Sequence, residues 1–300
     1  MKFAVTGGAG FVGNNIVRLL VSKGHSVVVI DNLHTGKKEN LEGIFEKIQF
    51  HEIDIRDIEK IEPILKDVDG IFHEAALTIV QESFQNEKEY FDVNVNGTEN
   101  IFKIAKKFEI KVVFASSSSI YGDSKQIPIK EETKRKPINP YGQTKLEDEF
   151  LAEKYVNDGL RVIGLRYFNI FGKGQTGSYA GVITQFMRKL HSHQRPIIFG
   201  DGLQIRDFIH VSDIAEANLY AMLSETKFGF YNIGTGMGIK IINLAKIMIK
   251  IFDEKFEPIF QDPLKGDVKV SQADITLTKN MLNWKSKICL EEGLKSFIRK

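Results

Sequence analysis

Tyr141 and Lys145 stand four residues apart in the segment NPYGQTK. On a helix, residues at i and i+4 share a face, so an ammonium would lie beside a phenol. Asn139 suits a helix N-cap and Pro140 a first helical position, which puts both residues in the opening turns. A free tyrosine has a pKa near 10, too high for a base at neutral pH. A lysine charge and the helix dipole both favour the phenolate. A fall of about 3 units needs roughly 4 kcal/mol of differential stabilisation, which such sources can supply together in a dry cleft. A Tyr/Lys pair at this spacing is common by chance. Here it follows a strand ending in FASSSSIYG, whose hydroxyls, Ser116 to Ser119, could relay or position a proton. By bare chemistry any of the four serines could serve.

A second group lies at the N-terminus, where VTGGAGFVG places Gly7, Gly10 and Gly13 after a short apolar run. Glycines let the backbone approach a pyrophosphate, whose charge sits at the N-terminus of the helix that follows. Asp31 comes about 20 residues later at the end of the next strand, where an acid accepts hydrogen bonds from an adenosine ribose. Its charge repels a 2′-phosphate, so the reading is NAD; Lys37 and Lys38 keep NADP from being excluded outright. A bound, positively charged nicotinamide would be a third source of phenolate stabilisation.

These residues need elements to hold them. Short β-branched runs alternate with amphipathic stretches, as in βαβ units around a parallel sheet. Strands are expected at Lys2–Thr6, Ser26–Ile30, Ile48–Ile53, Gly70–Glu74, Lys111–Ser116 and Arg161–Tyr167. Helices are expected at Phe11–Lys23, Asp57–Lys66, Phe84–Phe108 and Pro140–Asp158. The fold class is α/β: a doubly wound, Rossmann-type sheet over residues 1–168, some later segments returning to it, then a smaller substrate-binding α/β region over 169–300. No spacer rich in Pro, Ser or Gly separates the two.

The chain has 300 residues, 42 % hydrophobic and 27 % charged, with a formal net charge of +2. That balance gives no whole-protein attraction for nucleic acid or an anionic membrane. Cys289 is the single cysteine, so no internal disulfide forms. No run approaches the roughly 18 apolar residues of a membrane span, and MKFAVTGGAG does not resemble a signal peptide; a cytoplasmic enzyme is expected. His191 and His193 lack a third ligand, so no metal site is expected. His73 reads as a satisfied near-core residue, and the basic clusters Lys106–Lys107 and Lys134–Lys136 as solvated faces.

Nearly end to end, the sequence resembles the extended short-chain dehydrogenase/reductase family, and within it the nucleotide-sugar 4-epimerases typified by UDP-glucose 4-epimerase. TGGAGFVG, DN, HEAA, NVNGT, SSSSIYG, PYGQTK, LRYFNIFG, FGDGLQIRDFIHV, YNIGTG and GDVKVSQAD carry the resemblance. It implies Ser117 as the catalytic hydroxyl, Tyr141 as the base and Lys145 as its partner on the nicotinamide ribose. It further implies NAD contacts from Phe11, Val12 and Asn32 beside the glycines and Asp31, from Asp54 and Ile55 near adenine, from Ala75, Ala76 and Asn94 along the dinucleotide, and from Tyr167 and Phe168 near the nicotinamide. Asn169 and Arg206 match contacts to the substrate diphosphate, and Asp267 a contact to the nucleotide ribose.

Two departures stand out. The family arginine two residues before the glycine of GDV is Leu264 here, with Lys265 beside it to supply the charge without a fork of donors. Ser271 occupies the position that tunes access to the sugar 2-substituent, and its small size suggests room for an N-acetyl group. The implied substrate is a UDP-hexose, UDP-glucose/UDP-galactose or UDP-GlcNAc/UDP-GalNAc. A dehydratase would carry Asp-Glu directly after the catalytic hydroxyl, where this chain has Ser118 and Ser119. A decarboxylase or reductase of the same family is an alternative, as is a non-catalytic binding protein, against which the intact Tyr141/Lys145 pair argues. The resemblance also implies a homodimer built on the helices near Phe84 and Pro140; Ala105, Phe150 and Leu151 either line that surface or pack inward.

Overall fold

The computed structural model describes residues 1–175, 181–264 and 268–296. In chain order its strands are β1 (Lys2–Thr6), β2 (Ser26–Asp31), β3 (Ile48–Glu52), β4 (Gly70–His73), β5 (Lys111–Ser117), β6 (Val162–Tyr167), β7 (Asn169–Phe171), β8 (Ile197–Phe199), β9 (Ile205–His210), β10 (Phe228–Ile233), β11 (Gly238–Lys240), β12 (Ile259–Gln261) and β13 (Val270–Ser271). The principal helices are α1 (Phe11–Ser22), α2 (Ile58–Leu65), α3 (Val80–Ser83), α4 (Glu87–Phe91), α5 (Gly97–Lys107), α6 (Pro140–Asn157), α7 (Val182–His191), α8 (Val211–Leu223) and α9 (Ile241–Ile251).

Seven strands form one parallel sheet in the order β10-β6-β5-β4-β1-β2-β3. Side chains alternate across it with the period of two that a strand imposes. Phe3 and Val5 of β1 face a core with Ile16 and Leu20 of α1 and Ile214 of α8, whereas Ala4 between them joins Ile61, Phe102 and Tyr155 on the other face. Burial on both faces explains the unbroken apolar runs, each fully buried large side chain contributing about 1.5–3 kcal/mol. The strand order reverses between β1 and β4, which opens a crevice at the carboxyl ends of the strands.

β10 and α8 come from beyond residue 168 yet belong to this sheet and its covering layer. The rest of the later chain builds a four-stranded sheet in which β11 and β13 pair with β9, and β7 pairs with Phe208–His210 of the same strand, together with a separate parallel pair of β8 and β12. A separate core of Phe171, Phe186, Ile198, Leu244 and Met248 lies under α7 and α9.

The six expected strands form, with ends shifted by one residue at most. The helix expected over Phe84–Phe108 is corrected. Asn86 (φ −127°, ψ 40°) breaks it, α3 and α4 flank the break, and Asp92–Asn96 is a π-helical turn that leads into α5. The basic cluster at Lys134–Lys136 is corrected too: Arg135 pairs with Glu153 and with the fully buried Glu149. Among the described residues no helix is long and apolar enough to cross a membrane, and no cluster of metal-ligating side chains occurs. His73 is buried between the hydroxyls of Thr6 and Thr98, and His193 pairs with Glu254.

Candidate active site

β1 ends at Thr6, and Gly7 turns the chain with φ +66°, a conformation that favours glycine. A Cβ on Gly7 would lie 2.7 Å from the Ala75 nitrogen, and one on Gly13 2.1 Å from the Gly7 carbonyl oxygen. α1 starts after Gly10 with no side-chain cap and no acidic residue in its first turn. The backbone N–H groups of Phe11, Val12 and Gly13 therefore have no acceptor within the helix and suit an anion. Asp31, 6 % exposed, accepts from Ala9 N (2.9 Å) and Leu33 N (2.8 Å), while burial pushes its carboxyl up. Asn32 donates to Asp54 (2.9 Å), which Arg56 grips through its guanidinium and holds down to about 2. Ile55 is buried against the start of α5. Lys38 is committed to Glu52 at 2.9 Å, and Lys37 is exposed. The glycine floor, the uncapped helix end and the carboxylate closing β2 together fit a dinucleotide with an unphosphorylated adenosine ribose.

The loop after β4 forms the next part of the crevice. Asn94, in the π-helical turn, accepts from Leu77 N (2.8 Å) and donates to Leu77 O (3.0 Å) and Thr144 Oγ1 (3.0 Å). It thereby ties the stretch that carries Ala75 and Ala76 to α6. Irregular helical turns of this kind recur at functional sites.

α6 carries the Tyr141/Lys145 pair. Asn139 caps it by accepting from Gly142 N at 2.8 Å, with Pro140 in the first turn. A Cβ on Gly142 would come 2.8 Å from the Ser119 carbonyl, so glycine lets the helix start against the serine turn. Tyr141 is half-buried, whereas Lys145 is 3 % exposed and donates to Asp148 Oδ2 at 3.0 Å. Lys145 is raised above its ordinary value: burial opposes its charge, and Asp148, Tyr141 and Glu74 outweigh that. Along β5 the serines diverge. Ser116 donates to Glu149 (2.7 Å) inside the protein, while Ser117 ends the strand and accepts from Ser119 N (3.1 Å). Arg166 forks onto Glu149 with two bonds of 2.8 Å, which fixes α6 to β6.

Tyr167, at the end of β6, donates to Glu74 at 3.0 Å and accepts from Asn218 at 2.7 Å. Glu74 is half-buried as a residue, and burial of its carboxyl pushes it up to about 8. The Phe168 ring packs inward with Ile120, Tyr121 and Leu146.

On the other wall, Asn169 donates to the Asp207 carbonyl (3.2 Å). Arg206 is 7 % exposed and donates to the carbonyls of Ile205 (2.7 Å) and Val268 (2.6 Å). Ser271 pairs with Arg206 in the register of β13 on β9. Asp207 gathers Thr235, Gly236 and Ala273, pinning the NIGTG loop to this sheet. Leu264 is 44 % exposed, while Lys265 and Asp267 lie outside the described residues.

Sequence reading passed over Asp148, Glu149, Asp207 and the Glu74 side chain. Glu149 lies four residues after Lys145, a spacing that marks one helix face, and Asp207 follows the arginine already singled out. Of the dimer candidates, Ala105 is fully buried, Leu151 packs partly against the core, and Phe150 is 42 % exposed under Arg135.

The model of the NAD dependent epimerase/dehydratase family matches residues 3–234. The UDP-glucose 4-epimerase of Thermotoga maritima, solved with UDP-glucose, is 36 % identical with a TM-score of 0.94, covering 98 % of this chain and 96 % of that one. The UDP-N-acetylglucosamine 4-epimerase of Methanobrevibacter ruminantium, solved with UDP-N-acetylmuramic acid, is 35 % identical with a TM-score of 0.94, covering 99 % and 98 %. A UDP-glucuronic acid decarboxylase of Arabidopsis thaliana is 34 % identical over 98 % of this chain and 68 % of its own length.

Proposed function

The chain belongs to the NAD-dependent epimerase/dehydratase family, and on that premise we propose that it inverts C4 of a UDP-hexose by transient oxidation. The observation that carries the reading is the opening of α6: a half-buried tyrosine, a buried lysine ammonium one turn later, and a strand-end serine turn against which the helix starts.

In this reading Tyr141, as phenolate, takes the proton of the C4 hydroxyl through or beside Ser117. Ser116 is turned inward to Glu149, which favours Ser117 among the four serines. Lys145 stabilises the phenolate and binds the nicotinamide ribose. NAD, held by Gly7, Gly10, Gly13, the first turn of α1 and Asp31, supplies a reversible hydride acceptor. Asn169, Arg206, Lys265 and Asp267 anchor the diphosphate and nucleotide while the 4-keto hexose turns over. As C4 regains its hydride on the opposite face, Tyr141 returns its proton to the C4 oxygen, so neither proton nor cofactor is consumed. Ser271, small and beside Arg206, leaves room for a 2-acetamido group; UDP-GlcNAc is therefore a candidate substrate beside UDP-glucose.

We further read the protein as a cytoplasmic homodimer. Phe91 of α4 and Phe150 of α6, 46 % and 42 % exposed, are apolar surface on the helices that such a dimer would pair.

A second reading, decarboxylation of a UDP-uronic acid, is favoured by the plant relative. Product NMR separates the two. Purified protein with UDP-glucose or UDP-GlcNAc and no added nicotinamide should give the C4 epimer at equilibrium. Carbon dioxide from UDP-glucuronate with neither epimer formed would replace the first reading with the second.

A further inference from the structure

The proton transfer above uses Tyr141, Lys145 and Ser117, and it leaves one charge on the same helix without a task. Asp148 lies one turn beyond Lys145, its side chain fully buried and that of Lys145 only 4 % exposed, with 3.0 Å between Nζ and Oδ2. Removing two charges from water at such depth is expensive, and a well-packed apolar residue often does as well or better for stability. Stability alone therefore gives no reason for an acid at this position.

Its neighbour does. Burial by itself favours the neutral form of a lysine, and Lys145 is useful to a phenolate only while charged. Among the described residues, the titratable groups that act on it are Tyr141 and Asp148 from α6, and His73 and Glu74 from the end of β4. Burial drives His73 down to about 3, and both its ring nitrogens are engaged by threonine hydroxyls, so it stays neutral. Glu74, up at about 8, is mostly protonated at neutral pH, and Tyr141 is the group to be activated. Burial raises Asp148 only to about 6 against the pull of Lys145, with Thr98 also favouring its charge and Glu149 opposing it. At neutral pH Asp148 is thus the ionised carboxylate beside Lys145.

We propose that Asp148 is a positioning residue for the reaction: it is the counter-ion that keeps the buried Lys145 protonated and holds its ammonium one turn into α6, where it acts on Tyr141. This rests on the roles given to Tyr141 and Lys145 above. Because Tyr141 returns the proton it takes, no wire to solvent is required, and Asp148 serves as a fixed charge.

The test is kcat as a function of pH for the wild type, Asp148→Asn and Asp148→Glu, with whichever of UDP-glucose or UDP-GlcNAc the wild type turns over. The alkaline limb, where Lys145 loses its proton, is expected to move down by at least one pH unit in Asp148→Asn. KM should change little, and Asp148→Glu should restore the limb toward the wild type. A uniform fall in kcat with the limb unmoved overturns the inference, since a packing role would do only that. Should Asp148→Asn fold poorly, thermal melts in a Lys145→Met background decide. There Asp148 is a buried carboxylate without its partner, so adding Asp148→Asn should raise Tm, although it lowers Tm in the wild type. Additive effects on Tm overturn the pairing. A wild type without turnover sinks the functional reading and this role with it, whereas turnover with an unmoved limb overturns the inference alone.

Discussion

The large sheet and the small one hold their polar residues by different means. Around the ends of β4, β5 and β6, groups that could do chemistry are set by buried acids: Lys145 pairs with Asp148 and Arg166 with Glu149, while Tyr167 donates to a Glu74 that burial keeps mostly neutral. Around β9, Arg206 donates to backbone carbonyls, and Asp207 collects backbone and hydroxyl donors from two neighbouring segments. The first arrangement fixes protonation states within a dry layer. The second fixes the course of loops, and its strands are short enough for substitutions to reshape the wall. Changes in the large sheet should therefore act on kcat and its pH dependence, and changes in the small one on KM and substrate choice.

Four substitutions probe that contrast. Tyr141→Phe should lower kcat about a thousandfold, within the range a positioned base contributes, while the purified variant still carries NAD, read by absorbance after denaturation. Full activity would remove Tyr141 from its role. Arg206→Lys keeps the charge and loses the planar fork, so KM for the sugar nucleotide should rise about tenfold with kcat little changed. An equal fall in kcat would blur the division between the two sheets. Ser271→Tyr should cut turnover of UDP-GlcNAc about tenfold relative to UDP-glucose, because added bulk closes the room for the acetamido group. Equal turnover of UDP-GlcNAc by wild type and variant would discard that assignment.

The smallest effect concerns Glu74. Its folded pKa is raised from 4.5 to about 8, so the stability tied to its protonated form is present below pH 4.5 and is lost as pH rises through 8. Nucleotide-free Glu74→Gln should therefore melt above the wild type at pH 9, with the gap closing below pH 5. A gap independent of pH would show that Glu74 is not held neutral.

Much of the large sheet was legible because its signals are local. Burial on both faces demands runs such as VVVI, and Asn139-Pro140 marks the start of α6 on its own. The rest depends on partners far apart in the chain. Nothing within residues 1–168 announces that Phe228–Ile233 will close the sheet's edge beside β6. The π-helical turn at Asp92–Asn96 could not be read from periodicity, since its apolar spacing stays close to that of an α-helix. Ser116 and Ser117 are told apart only by Glu149, a residue 33 positions away. Asp148 reads in sequence as one more charge on a helix, and its meaning comes from depth. On the small sheet the motif around Arg206 was visible, but not that Asp207 would bind the loop opposite.

The most direct test follows the hydrogen on C4. UDP-glucose deuterated at C4 is incubated with the purified protein, without added nicotinamide, and the products are read by NMR. Return of the same hydride predicts UDP-galactose with the deuterium still on C4, at equilibrium with its epimer and with no reduced cofactor accumulating. Epimer with C4 hydrogen drawn from solvent would contradict the transient oxidation and reduction assigned to Tyr141, Lys145 and NAD, and a 4-keto-6-deoxy product with the deuterium on C6 would contradict the return of the hydride to C4.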